Sequence, residues 1–398
     1  MTLQLPIYLD HHATTPLDPR VLDAMLPYFR EDFGNASSAS HVYGWRAEAA
    51  VEAAREELAN AIGAADAREI VFTSGTTESD NLALIGVARA NRDRCDHLVT
   101  TSIEHPAVLD AARSLERDGF RVTYLPVDVD GLVDPADVAA AIGERTALVS
   151  VMAANGEIGT LQPLAEIGRV CREREVPFHT DAAQAVGKIP LDVEQLGVDL
   201  LSMCAHKLYG PKGIGALYVR SRRPRLRIEP LLHGGGHERG LRSGTLPVPL
   251  IVGFARAVSL CLAELEEETA RLTALRGRLW DGLCAELDAV VRNGHSELRL
   301  PGNLNVSFEG VDADHLLVAL PGVALSTGSA CASASAEPSH VLTALGLPGE
   351  RIRAALRFGL GRSTSAGEID SVVGQVVAAV RESREKRALG ELRRDADR

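Results

Sequence analysis

Three segments of the chain place an amine, a carboxylate and a pair of hydroxyl groups directly after apolar runs. Lys207 follows the apolar run 200–203 and precedes the turn-forming residues 210–213. Its amine is therefore expected at the carboxyl end of a strand, where open α/β sheets bind their ligands. Asp181 ends a second apolar run, and a carboxylate there suits the protonated ring nitrogen of pyridoxal phosphate, whose positive ring is an electron sink. Taken singly, Lys207 also fits a surface charge and Asp181 a helix N-cap.

The third segment predicts a phosphate site. Gly75, Thr76 and Thr77 follow the apolar run 69–73 and open a helical pattern. Hydroxyl groups and backbone N–H groups at a helix N-terminus bind phosphate well. The segment lacks the Gly-Lys-Ser/Thr of a Walker A loop. It also fits an ordinary capped helix start, with Glu78 in the first turn.

Cys331 lies in a stretch of almost only small residues, 326–335. Such a stretch buries little and is expected to move, so its thiol can carry cargo between two sites. The other five cysteines, at positions 95, 171, 204, 261 and 284, lie in helical or strand contexts and are expected to be structural, except Cys204 close to Lys207. None forms a CxxC pair, which indicates reduced thiols and neither a disulfide framework nor a zinc site.

The elements that must position these residues alternate along the chain. Apolar runs at 69–73, 97–101, 121–125, 147–152, 177–181 and 200–203 predict strands, with helical patterns such as 46–60 between them. This alternation predicts an α/β fold with a mostly parallel sheet covered by helices. Beyond about residue 250 the pattern changes to a long helical run at 260–287, a strand at 303–308 and a closing helix at 368–384. We interpret this part as a smaller α+β domain.

Composition excludes several classes of protein. The 398 residues are 45% apolar, 24% charged and 4% aromatic, and the net charge is −12. This balance is typical of a soluble globular protein and argues against nucleic acid or anionic membrane as the main partner. No apolar run is long enough for a membrane span and no secretory signal is visible, so a cytoplasmic location is expected. Arginines at 220–227 leave nucleic-acid contact open, and the charged tail 384–398 fits a solvated helix end or disorder.

The ordered motifs resemble the NifS/IscS-type cysteine desulfurases, which belong to the fold-type I, class V pyridoxal-phosphate enzymes. The likeness runs through nearly the whole length. The matching segments are 8–10, 13–16, 33–35, 74–81, 104–105, 181–184, 205–207, 233–240, 242–245, 329–331 and 357–362.

This resemblance implies a fold and a division into domains. The expected large domain, residues 17–255, binds pyridoxal 5'-phosphate on a mostly parallel seven-stranded sheet. The expected small α+β domain comprises residues 1–16 and 256–398 and carries a mobile cysteine loop at about 324–337. The implied activity converts L-cysteine to L-alanine and leaves the sulfur on Cys331 as a persulfide. An acceptor protein would then collect the sulfur, either an iron–sulfur scaffold or a thiolation enzyme.

The resemblance also implies the reacting residues. Lys207 would hold the cofactor covalently and move the substrate Cα proton, and Cys331 would receive the sulfur. Asp181 would pair with the ring nitrogen and Gln184 with the phenolic oxygen. His105 would stack on the ring and exchange a proton with sulfur.

Further residues are implied to hold the phosphate. Thr76, Thr77 and His206 would bind it directly. Cys204 stands where the family tends to have a phosphate-binding serine, and a thiol is the poorer hydrogen-bonding group. Thr245 would reach the phosphate of a second subunit, which implies a symmetric homodimer with shared active sites.

The substrate contacts complete the implied site. Arg357 would bind the substrate carboxylate in a bidentate manner, with help from Asn35. Asn155 and Gly156 stand where the family usually has two asparagines, so Gly156 has no side chain to offer. These departures leave two rival functions open: a selenocysteine lyase or other pyridoxal-dependent C–S lyase, and an inactive scaffold homologue in a sulfur-transfer complex.

Overall fold

The structure is a computed structural model, which describes residues 5–221, 225–328 and 338–396, with the backbone alone at 390–396. Cys331 and most of the expected cysteine loop lie outside these residues.

The described strands form one large sheet and two small ones. They are β1 Ile7–Tyr8, β2 Ile70–Thr73, β3 His97–Thr101, β4 Arg121–Leu125, β5 Thr146–Ser150, β6 Phe178–Asp181, β7 Leu200–Cys204, β8 Gly215–Val219, β9 Val290–Asn293, β10 Asn303–Phe308, β11 Val323–Ala324 and β12 Ala355–Gly359.

Helices cover the large sheet and pack on the small ones. They are α1 Pro19–Arg30, α2 Val42–Ala61, α3 Thr76–Ala90, α4 Pro106–Arg117, α5 Pro135–Ala141, α6 Leu164–Glu173, α7 Val193–Leu196, α8 Val248–Ala263, α9 Leu265–Glu286, α10 Ala313–Ala319, α11 His340–Ala344, α12 Gly349–Arg353 and α13 Ala366–Ala396.

The large sheet has seven strands in the order β2-β8-β7-β6-β5-β3-β4. Strands β3 to β7 are parallel, whereas β8 is antiparallel to both β7 and β2. The predicted mostly parallel seven-stranded sheet is confirmed. Because β8 reverses direction between two strands that run the same way, the carboxyl ends of β2, β3, β6 and β7 all lie at one edge of the sheet.

Helix α2 shows how the apolar pattern is used. It includes the predicted 46–60 segment, and Ala47, Val51, Ala54 and Leu58 on its predicted apolar face are buried in the main core. This core lies between the helices and the sheet.

The predicted single helical run at 260–287 was wrong. The chain instead forms α8 and α9, which meet at Glu264 with a bend of 71°. Helix α8 is apolar and packs on the main core, whereas Leu272 and Leu279 of α9 pack on a second core. Arg20 and Arg362 both contact the Glu264 carboxylate at the bend, at 2.6 and 3.2 Å. The helix therefore breaks where the chain passes from one core to the other.

The second core contains the β12-β10-β9 sheet and the start of the chain. Ile7 and Leu9 are buried there beside Leu304 and Phe358. The predicted closing helix at 368–384 forms but continues as α13 to Ala396, so the described part of the charged tail is a helix end. The predicted domain boundaries stay a prediction.

Within the described residues no single helix is long and apolar enough to cross a membrane. Helices α8 and α9 meet that criterion only when they are taken together, and the pair is bent.

A segment that we call the strap, residues 233–245, is fixed to the sheet by a buried ion pair. Both oxygens of Glu238 accept hydrogen bonds from the Arg55 guanidinium at 2.8 Å. Glu238 also accepts from the Phe72 backbone N–H on β2 at 2.7 Å. Glu238 and Arg239 have positive φ angles of 49° and 56°, a backbone conformation that costs free energy and needs support from its surroundings. The buried pair supplies that support.

We expect Glu238→Gln to lower the free energy of unfolding by about 3 kcal/mol, because it leaves the buried Arg55 charge with only the exposed Glu52 carboxylate, at 3.1 Å, as an ionised partner. Urea denaturation followed by circular dichroism measures the change. Glu173→Gln is the matched control, since Glu173 pairs with Arg169 on the surface with both side chains at least 60% exposed. Its effect should stay below about 0.5 kcal/mol. Equal effects for the two variants would contradict the assigned role of Glu238.

Candidate active site

One cavity of about 510 Å³ lies at the carboxyl edge of the large sheet. Most of the predicted site residues line it. They are Thr76, Thr77, His105, Asn155, Gly156, Asp181, Gln184, Cys204, His206, Lys207 and Arg357.

Lys207 lies on a 3-10 turn, Ala205–Lys207, that directly follows β7. Its Nζ donates hydrogen bonds to the backbone oxygens of His12 and of Ala13, the latter at 2.7 Å. The amine is thereby held at the cavity wall by the N-terminal segment. The sequence predicted the strand-end position of Lys207, but it did not indicate which groups hold the amine.

Asp181 and His105 line the same cavity, and burial disfavours the charged form of each side chain. Burial raises the pKa of Asp181, and the nearby His105 and Lys207 oppose this rise. Such a carboxyl group gains most from a cationic partner. Burial lowers the pKa of His105. His105 Nδ1 accepts a hydrogen bond from the Ala107 N–H at the start of α4, so the neutral ring carries its proton on Nε2.

The start of α3 forms the anion-binding side of the cavity. Thr76 and Thr77 are its first residues, and Thr76 Oγ1 is buried without a hydrogen-bond partner in the described part of the chain. A phosphate oxygen at this N-terminus would satisfy both that hydroxyl and the free backbone N–H groups. Gly75 passes so close to β8 that a Cβ on Gly215 would lie 2.6 Å from its Cα. Position 215 therefore has no room for a side chain at this crossing, whereas a Cβ on Gly75 would meet nothing within 4 Å.

His206 and Cys204 flank the same region. Burial lowers the pKa of His206 to about 4 and raises that of the Cys204 thiol, so both are neutral near pH 7. His206 Nδ1 lies 3.3 Å from Thr14 Oγ1. Neither residue brings a charge to the anion-binding side.

Gln184 is held by hydrogen bonds at both ends of its amide. Its Nε2 donates to the His12 backbone oxygen at 2.9 Å, and its Oε1 lies 3.0 Å from His12 Nδ1. A Cβ on Gly156 would lie 2.9 Å from Gln184 Nε2. The absent side chain at Gly156 therefore leaves room for Gln184 in its present position.

Asn155 lines the cavity, but its amide bonds to backbone. Nδ2 donates to Ile103 O at 3.0 Å, and Oδ1 accepts from the N–H groups of Glu157 and Ile158 at 2.8 and 3.0 Å. This side chain shapes the turn after β5. The role of Asn155 in cofactor binding stays a prediction.

Arg357 enters the cavity from β12. It donates to Asp10 Oδ1 at 2.7 Å, to Ser326 Oγ at 2.9 Å and to the Gly156 oxygen at 3.2 Å. Its Nε is buried without a partner among the described residues. Since a guanidinium has five N–H donors, donors remain for a carboxylate. Asp10 keeps the buried arginine compensated in the absence of such a ligand.

Two predicted residues are not brought to this cavity. Asn35 and Thr245 are exposed, and Asn35 Oδ1 accepts instead from the Ser37 N–H at 2.9 Å. Thr245 ends the strap, which Arg242 ties to Glu78 of α3 at 2.9 Å. Cys331 lies outside the described residues.

Sequence reasoning missed several groups in the cavity wall. Glu104 and Glu157 are buried there, and burial raises their pKa values to about 8 and about 7. Glu157 Oε1 accepts from Ser339 Oγ at 2.5 Å, and His340 Nε2 lies 2.9 Å from the backbone oxygen of Glu104. The only sequence signal for His12, Glu104 and Glu157 was their position within or beside the motifs that carry the family resemblance. No group of three or more His, Cys, Asp or Glu residues in the described ranges could hold a metal ion.

Comparison with known proteins identifies the family. The family model for class-V aminotransferases matches residues 7–372. The chain belongs to this family. It is also 56% identical over 390 residues to the cysteine desulfurase IscS of Anaeromyxobacter sp. (strain Fw109-5), an alignment that covers 98% of this chain and 96% of that relative. The predicted resemblance to NifS/IscS-type cysteine desulfurases is confirmed, and class-V aminotransferases are pyridoxal-phosphate-dependent enzymes.

Solved structures give the same result for the fold. A NifS-like protein superposes with a TM-score of 0.87 at 39% identity, covering 94% of this chain and 99% of that one. A structure described as SspA in complex with cysteine superposes with a TM-score of 0.79 at 41% identity, covering 89% and 98%. The predicted fold-type I architecture is confirmed.

The buried Glu104 predicts a pH-dependent stability. Thr101 Oγ1 and the Met152 N–H donate to its Oε1 at 2.7 and 2.9 Å. Because its pKa rises from 4.5 to about 8 on folding, the folded chain keeps a proton that the unfolded chain loses between these pH values. This contribution to stability is therefore complete below about pH 4.5 and is lost as the pH rises towards 8.

We expect Glu104→Gln to remove this pH dependence, since an amide does not titrate. The Tm of the variant minus that of wild type should increase by at least about 2 °C between pH 5 and pH 8. Differential scanning calorimetry at pH 5, 6, 7 and 8 measures it. Glu144→Gln on the surface is the control and should give a constant difference. A constant difference for Glu104→Gln as well would show that Glu104 is ionised in the folded protein.

Proposed function

We propose that the chain is a cysteine desulfurase that binds pyridoxal 5'-phosphate, converts L-cysteine to L-alanine and passes the sulfur to Cys331. The observation that carries the proposal is the single cavity that brings Lys207, Asp181 and His105 together at the carboxyl edge of the sheet. The family, and a structural relative described with cysteine, support the substrate.

The cavity fits the cofactor on its own chemistry. The start of α3, with its unpartnered Thr76 hydroxyl, suits the phosphate. Asp181, whose pKa is raised by burial, suits the ring nitrogen because a cation would stabilise its ionised form. Lys207 Nζ would hold the cofactor covalently. Once bound, pyridoxal phosphate would supply an electron sink that stabilises negative charge at the substrate Cα and Cβ.

The chain's own residues would bind the substrate and move protons. Arg357 would bind the carboxylate of cysteine through the donors that Asp10, Ser326 and Gly156 leave open. Lys207 Nζ would accept the Cα proton. His105, neutral at physiological pH, would donate the Nε2 proton or accept one at the substrate sulfur.

Sulfur transfer would then occur at Cys331. Its thiolate would attack the substrate sulfur, so that a new S–S bond forms while the substrate C–S bond breaks. The electron pair of that bond would stay with the carbon skeleton, which is protonated and leaves as alanine. The enzyme would keep a persulfide on Cys331, and a sulfur-acceptor protein, an iron–sulfur scaffold or a thiolation enzyme, would collect it.

The decisive experiment compares wild type with Cys331→Ala. Purified protein is incubated with L-cysteine and a thiol reductant, and alanine and sulfide are measured. We expect wild type to form both in equal amounts and Cys331→Ala to lose at least about 100-fold in rate while it retains bound cofactor. Cys284→Ala, which removes an exposed thiol, is the matched control and should retain the wild-type rate. Full activity of Cys331→Ala would favour a C–S lyase, and inactive wild type would refute the proposal.

We also propose a homodimer with shared active sites. Thr245 is exposed on the strap and outside the cavity of its own chain, as expected for a residue that serves a partner. Phe29, Phe33 and Trp45 are at least half exposed, which is apolar surface that a second copy would bury. Both observations support the same assembly.

Mixed dimers test the shared site. Thr245→Ala alone should weaken cofactor binding about tenfold, through loss of one hydrogen bond to a charged phosphate. Lys207→Ala alone should be inactive. In a mixed dimer of the two variants, one site combines the intact Lys207 of one chain with the intact Thr245 of the other. When the two variants carry different tags and are co-expressed, the purified mixed dimer should therefore have about half the activity of a wild-type dimer at limiting cofactor. Recovery no greater than with Thr245→Ala homodimers would place Thr245 in its own subunit's site.

A further inference from the structure

A second lysine lies behind the candidate active site. Lys188 comes four residues after Gln184, in the turn that follows β6, and its Nζ donates to Gln184 Oε1 at 2.9 Å. Lys188 and Lys207 both line a small second cavity of about 40 Å³. His12 and Lys207 each line this cavity as well as the cofactor cavity. Lys188 has no role in the proposed desulfurase reaction.

Lys188 and the His12 backbone oxygen favour the same orientation of the Gln184 amide, one from each end. Below about pH 7 Lys188 is mainly an ammonium, which only donates hydrogen bonds, so the amide atom beside it must then be the oxygen. The same Oε1 lies 3.0 Å from His12 Nδ1, which must then be the donor. The inverted amide would direct N–H groups against an ammonium and leave two donors unsatisfied.

This orientation directs the nitrogen of Gln184 towards the cofactor cavity. Nε2 lies on the Gly156 side, 2.9 Å from where a Cβ of that residue would be. One of its two hydrogens bonds to the His12 oxygen at 2.9 Å. The second hydrogen remains for an anionic oxygen in the cofactor cavity. Loss of Lys188 would remove the donor to Oε1 and leave the His12 backbone oxygen to favour this orientation from the other end.

Lys188 also acts on Lys207 through its charge. Burial and, to a smaller extent, the charge of Lys207 together lower the pKa of Lys188 to about 7. Cys204 on β7, Cys261 on α8 and Glu268 on α9 act in the opposite direction. His11, His12 and Tyr209 are the other ionisable groups that line this cavity. Because electrostatic coupling is reciprocal, a charged Lys188 disfavours a proton on the Lys207 nitrogen.

We propose that Lys188 is a positioning residue of the active site, which directs the donor end of Gln184 into the cofactor cavity and places a positive charge behind Lys207. This inference rests on the proposed function, since it concerns the cofactor that Lys207 would hold. Lys188 does not line the cofactor cavity, so it would act through Gln184 and Lys207.

The test uses Lys188→Met, which removes donor and charge, Lys188→Gln, which removes the charge but keeps a donor, and Lys188→Arg, which keeps both. The visible absorbance of each purified holoenzyme is titrated with pH in the absence of substrate. This absorbance reports protonation of the nitrogen through which Lys207 holds the cofactor. We expect the midpoint to rise by about one pH unit in the Met and Gln variants, and to stay at or below the wild-type value in Lys188→Arg.

Cofactor affinity reports the orientation of Gln184. We expect about tenfold weaker binding for Lys188→Met and near-wild-type binding for Lys188→Gln, since only the latter can still donate to Oε1. Lys386→Met, at an exposed position of α13, is the matched control and should change neither quantity. Circular dichroism checks the fold of every variant, and Lys188→Gln carries the charge test alone if Lys188→Met does not fold.

Unchanged midpoints in the two neutral variants would overturn the proposal, as would wild-type cofactor affinity in Lys188→Met. The titration needs no turnover, so it is independent of the substrate. A wild-type protein that binds the cofactor but does not act on cysteine would refute the proposed function and leave this test valid. A wild-type protein that binds no cofactor would refute both.

Discussion

The backbone oxygen of His12 is the contact on which the site depends most. It accepts hydrogen bonds from Lys207 Nζ and from Gln184 Nε2, and these two side chains come from loops after different strands of the large sheet. The segment that carries His12 begins in the second core, where Ile7 and Leu9 are buried. One carbonyl group thus joins the two cores at the place where the cofactor would bind. A small displacement of this segment would move both side chains together.

Much of the fold followed from patterns in the sequence. The apolar runs predicted the parallel strands, and the alternation with helices predicted the α/β class. Strand β8 was missed because residues 215–219 follow a glycine-rich turn and resemble its continuation. The bend at Glu264 was missed because the helical period continues across it. Only the separation of two cores, and the arginines that contact Glu264, require the helix to break there.

The residues of the site also fall into two groups, those that the sequence predicted and those that it did not. Lys207, Asp181 and the start of α3 were predictable because each follows a strand, and strand ends converge at one edge of a parallel sheet. Lys188, Glu157 and Asp10 were not, because their tasks depend on contacts between segments far apart in the sequence. Asp10 and Arg357 are 347 residues apart, yet they form an ion pair at 2.7 Å. No spacing rule within a single segment encodes such a pair.

The strap has a consequence for assembly. Its Arg242 contacts Glu78, whose carboxylate also accepts from the Ser74 N–H at 2.6 Å, directly beside the proposed phosphate site. Its other end presents Thr245 on the surface. In the proposed homodimer, the same short segment would meet the neighbouring subunit and support the phosphate-binding turn of its own chain. Thermodynamic linkage then makes the coupling mutual: each subunit would bind its cofactor more tightly when paired, and cofactor-loaded subunits would dissociate from one another less readily.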